Sequence, residues 1–149
     1  MTLPAFNDRG DVPAGVHGAT VKEVLSRFGT GTPERRLMSR RFARIHALAR
    51  STGKVARFIL FGSYVTDKPD PGDVDIFMIM EDAFNVNEVA GEAAVIFDHM
   101  AADTYEGASV FWIRRMAALG GEEAAIADWQ IKRDGGKRGI VEVIENDTQ

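Results

Sequence analysis

A chain of 149 residues with 45% hydrophobic and 27% charged residues has the make-up of an ordinary globule with one sizeable core. The absence of cysteine excludes disulfides and thiolate metal sites and fits a reducing compartment. A net charge of -4, with no long apolar run and no export-type leader, argues against a nucleic-acid coat, a membrane span and secretion, so the expected setting is the cytoplasm.

In chain order, residues 1–19 carry Pro4, Pro13 and three glycines without periodicity and read as an extended arm or loop. Thr20 caps a short helix, VKEVLSRF, with Glu23 completing a capping box. Thr32-Pro33-Glu34 opens a second helix over residues 33–51. Its apolar Leu37, Met38, Phe42, Ile45 and Leu48 recur at helical spacing and define a core face. Strands follow at 55–61 and 74–80, the second an almost wholly apolar run that reads as buried. A helix is expected over residues 87–101, with Val89, Ala93, Ile96, Phe97 and Met100 inward. A strand at 108–113 and a helix over 121–132 come next, then a turn at Asp134-Gly135-Gly136 and a strand at 139–144. A hairpin of residues 129–133 with that last strand competes with the helix reading, and the tail ENDTQ reads as frayed. No repeat or linker interrupts the chain, so the expectation is one α/β domain over residues 1–149, with a mixed sheet.

Charge is unevenly spread. Residues 33–57 hold Arg35, Arg36, Arg40, Arg41, Arg44, Arg50, Lys54 and Arg57 against Glu34, a balance of +7, which leaves -11 for the rest (-4 minus +7). Arg36, Arg40 and Arg44 form a stripe on one helix face. It is either a cradle for an acidic acceptor or a solvated face paired with acids from elsewhere in the fold.

The chemistry concentrates in FILFGSYVTDKPDPGDVDIFMIM, residues 58–80. Side chains at i and i+2 of a strand point the same way, so Asp73 and Asp75 aim at one point while Val74 and Ile76 face the core. Two parallel carboxylates repel unless a cation lies between them, and Mg²⁺ or Mn²⁺ shared with phosphate oxygens is the natural candidate. Gly62-Ser63, just after a strand, suits the close approach of phosphate to backbone N–H groups and a hydroxyl. Each feature alone is commonplace, a turn or a solvated strand start. Together, nine residues apart, they point to a nucleoside triphosphate site. Lys68, in the connection between them, either reaches that triphosphate or solvates a proline-rich loop.

This FGS, nine residues, then DVDI, resembles the signature of the nucleotidyltransferase superfamily, which includes the DNA polymerase β-like and minimal nucleotidyltransferases. The likeness to a group of short bacterial proteins of unknown function with that fold runs further, through PAGVH, FGTGTPERR, GSYVTDKPDPGDVDI and WQIKRDGGKRGIVEV. The resemblance implies a mixed sheet with helices packed on it, a metal at Asp73 and Asp75, and a nucleoside triphosphate held through Gly62 and Ser63. It implies transfer of a nucleoside monophosphate to a protein or RNA hydroxyl. The family pattern also has a third carboxylate on the next sheet strand, where this chain has Ser109; Asp103 or Glu106 is the substitute within reach along the sequence. Two functions therefore stand: a transferase, or a catalytically weak nucleotide-binding member of a toxin–antitoxin or defence pair. A chain this short also suggests a protein partner or a homo-oligomer.

Among the remaining residues, Lys137 and Arg138 read as surface turn cations, and Trp112 and Trp129 as core. His17, His46 and His99 lack metal-ligand spacing, and His46 reads as a boundary residue of the long helix.

Overall fold

A computed structural model describes residues 3–145. Five strands form one mixed sheet in the order β1-β5-β2-β3-β4: β1 Val16–Ala19, β2 Val55–Phe61, β3 Val74–Met80, β4 Ala108–Arg114 and β5 Ile140–Val143. β2 runs antiparallel to both β3 and β5, whereas β1 pairs parallel with β5 and β4 parallel with β3. The mixed α/β fold expected from the sequence is the fold observed.

The two long helices start where their caps lie. The Thr20 hydroxyl accepts from the Glu23 N–H and the Glu23 carboxylate accepts from the Thr20 N–H, which closes the capping box of α1 (Val21–Phe28). Thr32 caps α2 (Pro33–Arg50), with proline at its first position. Met38, Phe42, Ile45 and Ala49 of α2 pack with Phe58, Leu60, Val74, Ile76 and Met78 in the larger core. The alternation of β3 sends Phe77 and Ile79 to the other face, where Ile59, Ile126 and Ile140 form a smaller core. The site described below lies on this second face.

Four expectations need correction. The N-terminal arm is not loose: Leu3 and Val12 are buried and Val16–Ala19 is a sheet strand. Leu37 does not belong to the core face of α2; it is exposed, and the buried neighbour is Arg35. The helix expected over residues 87–101 is broken into short turns, α3 (Glu92–Val95) and α4 (His99–Ala101), followed by a π-turn at Ala102–Glu106. Gly91, at φ +69°, and the Asp98 side chain, which accepts from the Ala101 N–H, each start a new turn there. Ile96 and Phe97 still pack inward, whereas Met100 is 78% exposed. The helix expected over 121–132 stops early as α5 (Glu122–Ala127) plus a single 3-10 turn, Asp128–Gln130. Beyond it the chain makes a hairpin, with Ile131 bridging Lys137 across a turn at Gly135 (φ +88°). The expectation of a frayed tail falls largely on residues 146–149, outside the described residues.

Five cations of the basic segment are partnered within the fold. Arg57 grips Glu142 through two N–H groups, at 2.5 and 2.8 Å, and also reaches Glu122 and Glu123 of α5. Arg44 bridges Glu92 and Glu106, at 2.6 and 2.8 Å, and Arg50 pairs with Glu145. Arg36 donates to the Gly31 carbonyl and Arg41 to that of Gly107. The acids that partner these cations come from distant segments.

His46 provides a pH test of the core. Its ring packs edge-on against Phe58 with centroids 4.9 Å apart, and its Nε2 is buried without a hydrogen-bond partner among the described residues. Burial first, then the Arg50 charge, hold its pKa below the ordinary 6.5, against a smaller opposing pull from Glu145. The folded chain therefore takes up this proton at a lower pH than the unfolded chain does. Stability is full above about pH 6.5 and declines as the pH falls from there towards the folded value. Urea midpoints are expected to drop through that window and to drop less in His46→Leu. Equal slopes for the two proteins would remove His46 from the account.

Candidate active site

β2 and β3 are hydrogen-bonded neighbours, and their register pairs Phe61 with Asp75; the parallel register of β3 with β4 pairs Asp75 with Ser109. Asp75, Ser109 and Gly62 consequently meet at one end of the sheet, on the face opposite α2. They line a cleft of about 300 Å³.

Asp73 is held in place at both oxygens. Its Oδ1 accepts from the Val74 N–H at 2.9 Å and its Oδ2 from the Ser109 hydroxyl at 2.6 Å. Asp75 lies within hydrogen-bonding reach of Asp73. Burial raises its pKa most, and the neighbouring Asp73 charge and hydrogen bond raise it further, to about 7, while Arg138 and Arg133 pull it down. Gly62 is required by the same packing. It adopts φ +79°, ψ -164°, a region reserved for glycine, and a Cβ there would lie 2.0 Å from Asp75 Oδ2. The polypeptide backbone thus runs directly beside the carboxylate.

Among the described residues no three His, Asp or Glu side chains converge as a metal-binding group. The donor set on offer is two adjacent carboxylates and a serine hydroxyl. Two neighbouring carboxylates, one of them buried, fit a divalent cation that completes its shell with water and phosphate oxygens.

The other candidates fall in different places. Ser63 opens a 3-10 turn, Ser63–Val65, directly after Gly62, and its carbonyl accepts from both the N–H and the hydroxyl of Thr66. Lys68 is exposed on the loop beyond that turn and does not line the cleft. The loop itself leans on the start of α2, where the Thr32 hydroxyl donates to the Pro69 carbonyl. Asp103 is exposed, and Glu106 is turned away to Arg44. Arg36, Arg40 and Arg44 are on α2, across the sheet from the carboxylates. Of the histidines, His17 bonds the Pro13 carbonyl at 2.7 Å, and His99 stacks on Phe111. Trp112 packs against Phe84 and Phe97 beside the main core, as expected. Trp129 likewise packs beside a core, the smaller one, half-buried against Phe61 and Phe77 with centroids 4.4 and 5.0 Å away, and it also lines the cleft.

The sequence reading missed Lys132 and Arg133, which line the cleft together with Arg138. The available signal was the run KRDGGKR, four cations around a glycine turn. It reads as a surface turn until Gln130 and Gly139 are known to be anchored on the N-terminal segment, with Gln130 Oε1 accepting from the Gly15 N–H at 2.6 Å and the Gly139 N–H donating to Val12 at 2.7 Å.

No curated protein and no solved structure matches the chain. A family model described as a family of unknown function, DUF6932, matches residues 4–144, and the chain belongs to that family.

Proposed function

We propose that the chain is a Mg²⁺-dependent nucleotidyltransferase that moves a nucleoside monophosphate from a triphosphate to a protein or RNA hydroxyl. The observation that carries this reading is a cleft bordered by cations in which Asp75, with Asp73 as its neighbour, lies beside Gly62. Asp73 and Asp75 would hold Mg²⁺ or Mn²⁺, whose charge neutralises phosphate oxygens and the departing pyrophosphate. Gly62 lines the cleft with its backbone against Asp75, where phosphate would meet the main chain, and Ser63 follows it at the start of the 3-10 turn. The acceptor oxygen bonds to the α-phosphorus, the bond to the β-phosphate oxygen breaks, and the hydroxyl proton needs an acceptor. The carboxylate that lines the cleft and can take that proton is Asp75, with Asp73 beside it. Free triphosphates and a chain without cysteine both fit a cytoplasmic location, and no helix among the described residues is long and apolar enough to cross a membrane.

The test is thermal unfolding with Mg²⁺ and each nucleoside triphosphate. Ligand at about 100 times Kd adds roughly 2.7 kcal/mol, a shift of about 5–10 °C for a chain of this size. The shift is expected to disappear in Asp73→Asn/Asp75→Asn. A shift that survives the double substitution puts the nucleotide elsewhere. Label from α-phosphate nucleotides, followed into the macromolecules of a lysate, identifies the acceptor.

One observation favours a second reading, a nucleotide-binding protein with slow or partner-dependent transfer, as in a toxin–antitoxin or defence pair. Ser109 stands opposite Asp75 where a third carboxylate is expected, and Glu106 is engaged by Arg44. Ser109→Asp is the discriminating variant: transfer is expected to rise with little change in nucleotide affinity. If wild-type transfer is already efficient and Ser109→Asp lowers it, the serine is part of the working site and this second reading fails.

A further inference from the structure

We propose that the hairpin at residues 130–138 is the polyphosphate clamp of the cleft, with Arg133 and Arg138 as its anion-binding side chains. The inference rests on the nucleotide-binding reading and names the residues that hold the phosphates.

Arg138 carries the argument. Its side chain is only 27% exposed and lines the cleft beside Asp75, yet its guanidinium makes no hydrogen bond among the described residues. The nearest carboxylate oxygen, Asp11 Oδ1, is 3.7 Å away, beyond the usual 2.7–3.2 Å of an N–H···O bond. A largely buried guanidinium with open donors suits phosphate oxygens, which accept its planar fork two at a time. Lys132 is in the same condition, with its Nζ 3.8 Å from Asp11 and 3.9 Å from Asp134. Arg133, exposed at the cleft edge, has no ion pair or hydrogen bond among the described residues.

The hairpin is also held rigidly. Asp11, 5% exposed, faces Lys132 and Arg138 from the N-terminal segment. Main-chain and side-chain bonds fasten both ends of the hairpin: Gly15 N–H to Gln130, Arg138 N–H to the Gln130 carbonyl, and Gly139 N–H to Val12. A loop whose backbone is already pinned loses little main-chain freedom when its cations take up a ligand. Three of them in one short loop, within an otherwise acidic chain, call for a compact multiply charged anion rather than an extended nucleic-acid backbone. Lys68 has no part in this arrangement.

The test is calorimetric titration with inorganic tripolyphosphate in EDTA at low salt. Arg133→Ala and Arg138→Gln are each expected to weaken binding about tenfold, the loss of one charge-assisted hydrogen-bond partner. Lys68→Ala is expected to bind like the wild type, and Asp73→Asn/Asp75→Asn at least as tightly. The exposed Arg133 variant controls for any loss of structure in Arg138→Gln. The clamp is overturned if both arginine variants bind within twofold of the wild type, if Lys68→Ala alone weakens binding, or if neither the wild type nor the aspartate double variant binds saturably. Arginine-dependent tripolyphosphate binding without aspartate-dependent Mg²⁺-nucleotide stabilisation would leave the clamp standing and remove the transferase reading. The reverse pattern would do the opposite.

Discussion

Gly62→Ala is expected to abolish nucleotide-dependent stabilisation and to destabilise the fold by about 1–3 kcal/mol through backbone conformation alone. At φ +79° and ψ -164° a Cβ is strained whatever surrounds it, and here it would also lie 2.0 Å from Asp75 Oδ2. Relief requires either the carboxylate or the end of β2 to move, and each route dismantles the pair with Asp73. Gly53→Ala is the matched control: Gly53 is also left-handed, at φ +69°, but a Cβ there meets nothing within 4 Å. Gly53→Ala should therefore cost stability and leave the Mg²⁺-nucleotide shift intact. If Gly62→Ala retains a wild-type shift, phosphate does not approach the backbone at this point.

Arg35→Met is expected to cost about 3–5 kcal/mol, read from urea unfolding. Arg35 is 6% exposed, and its guanidinium donates to the carbonyls of Phe28 at 3.0 Å, Tyr64 at 2.9 Å, and Thr66. Methionine fills much of the volume but leaves three carbonyls without this donor, each worth about 1–3 kcal/mol when buried and unsatisfied. The same side chain ties the start of α2 to the turn that follows Gly62-Ser63, assisted by Ser39 on the Tyr64 hydroxyl. Nucleotide-dependent stabilisation should weaken in parallel with the loss of stability. A cost below about 1 kcal/mol would mean that the carbonyls are rehydrated and that Arg35 is not the pin of this corner.

These two residues illustrate how differently parts of the site are written in the chain. Gly62 is visible because a glycine between a strand and a polar loop has a local conformational meaning. Arg35 was counted with seven other cations in a basic segment, because nothing in PERRLMSRR marks it as buried while the arginine beside it is exposed. Its role depends on Phe28, Tyr64 and Thr66, up to 31 positions away. The same holds for Arg44 and Arg57, whose acids are 48 to 85 positions distant.

The features legible along the chain were local. The caps at Thr20 and Thr32, the apolar strands Val55–Phe61 and Val74–Met80, and the shared direction of Asp73 and Asp75 depend on interactions within a few residues, or on the two-residue period of an extended strand. The caps and both strands are found at these positions. The tertiary structure alone decided which face of the sheet the carboxylates occupy and that α2 with its arginine stripe covers the other. It also decided that Ser109 bonds Asp73 and that Lys132, Arg133 and Arg138 border the cleft in place of Lys68. Each of these depends on strand order and on contacts between segments far apart in the chain, Asp11 with Arg138 among them. Such pairings arise only when the whole core closes, because a charge or hydrogen-bond partner is selected by proximity in the packed fold and leaves no periodicity along the sequence.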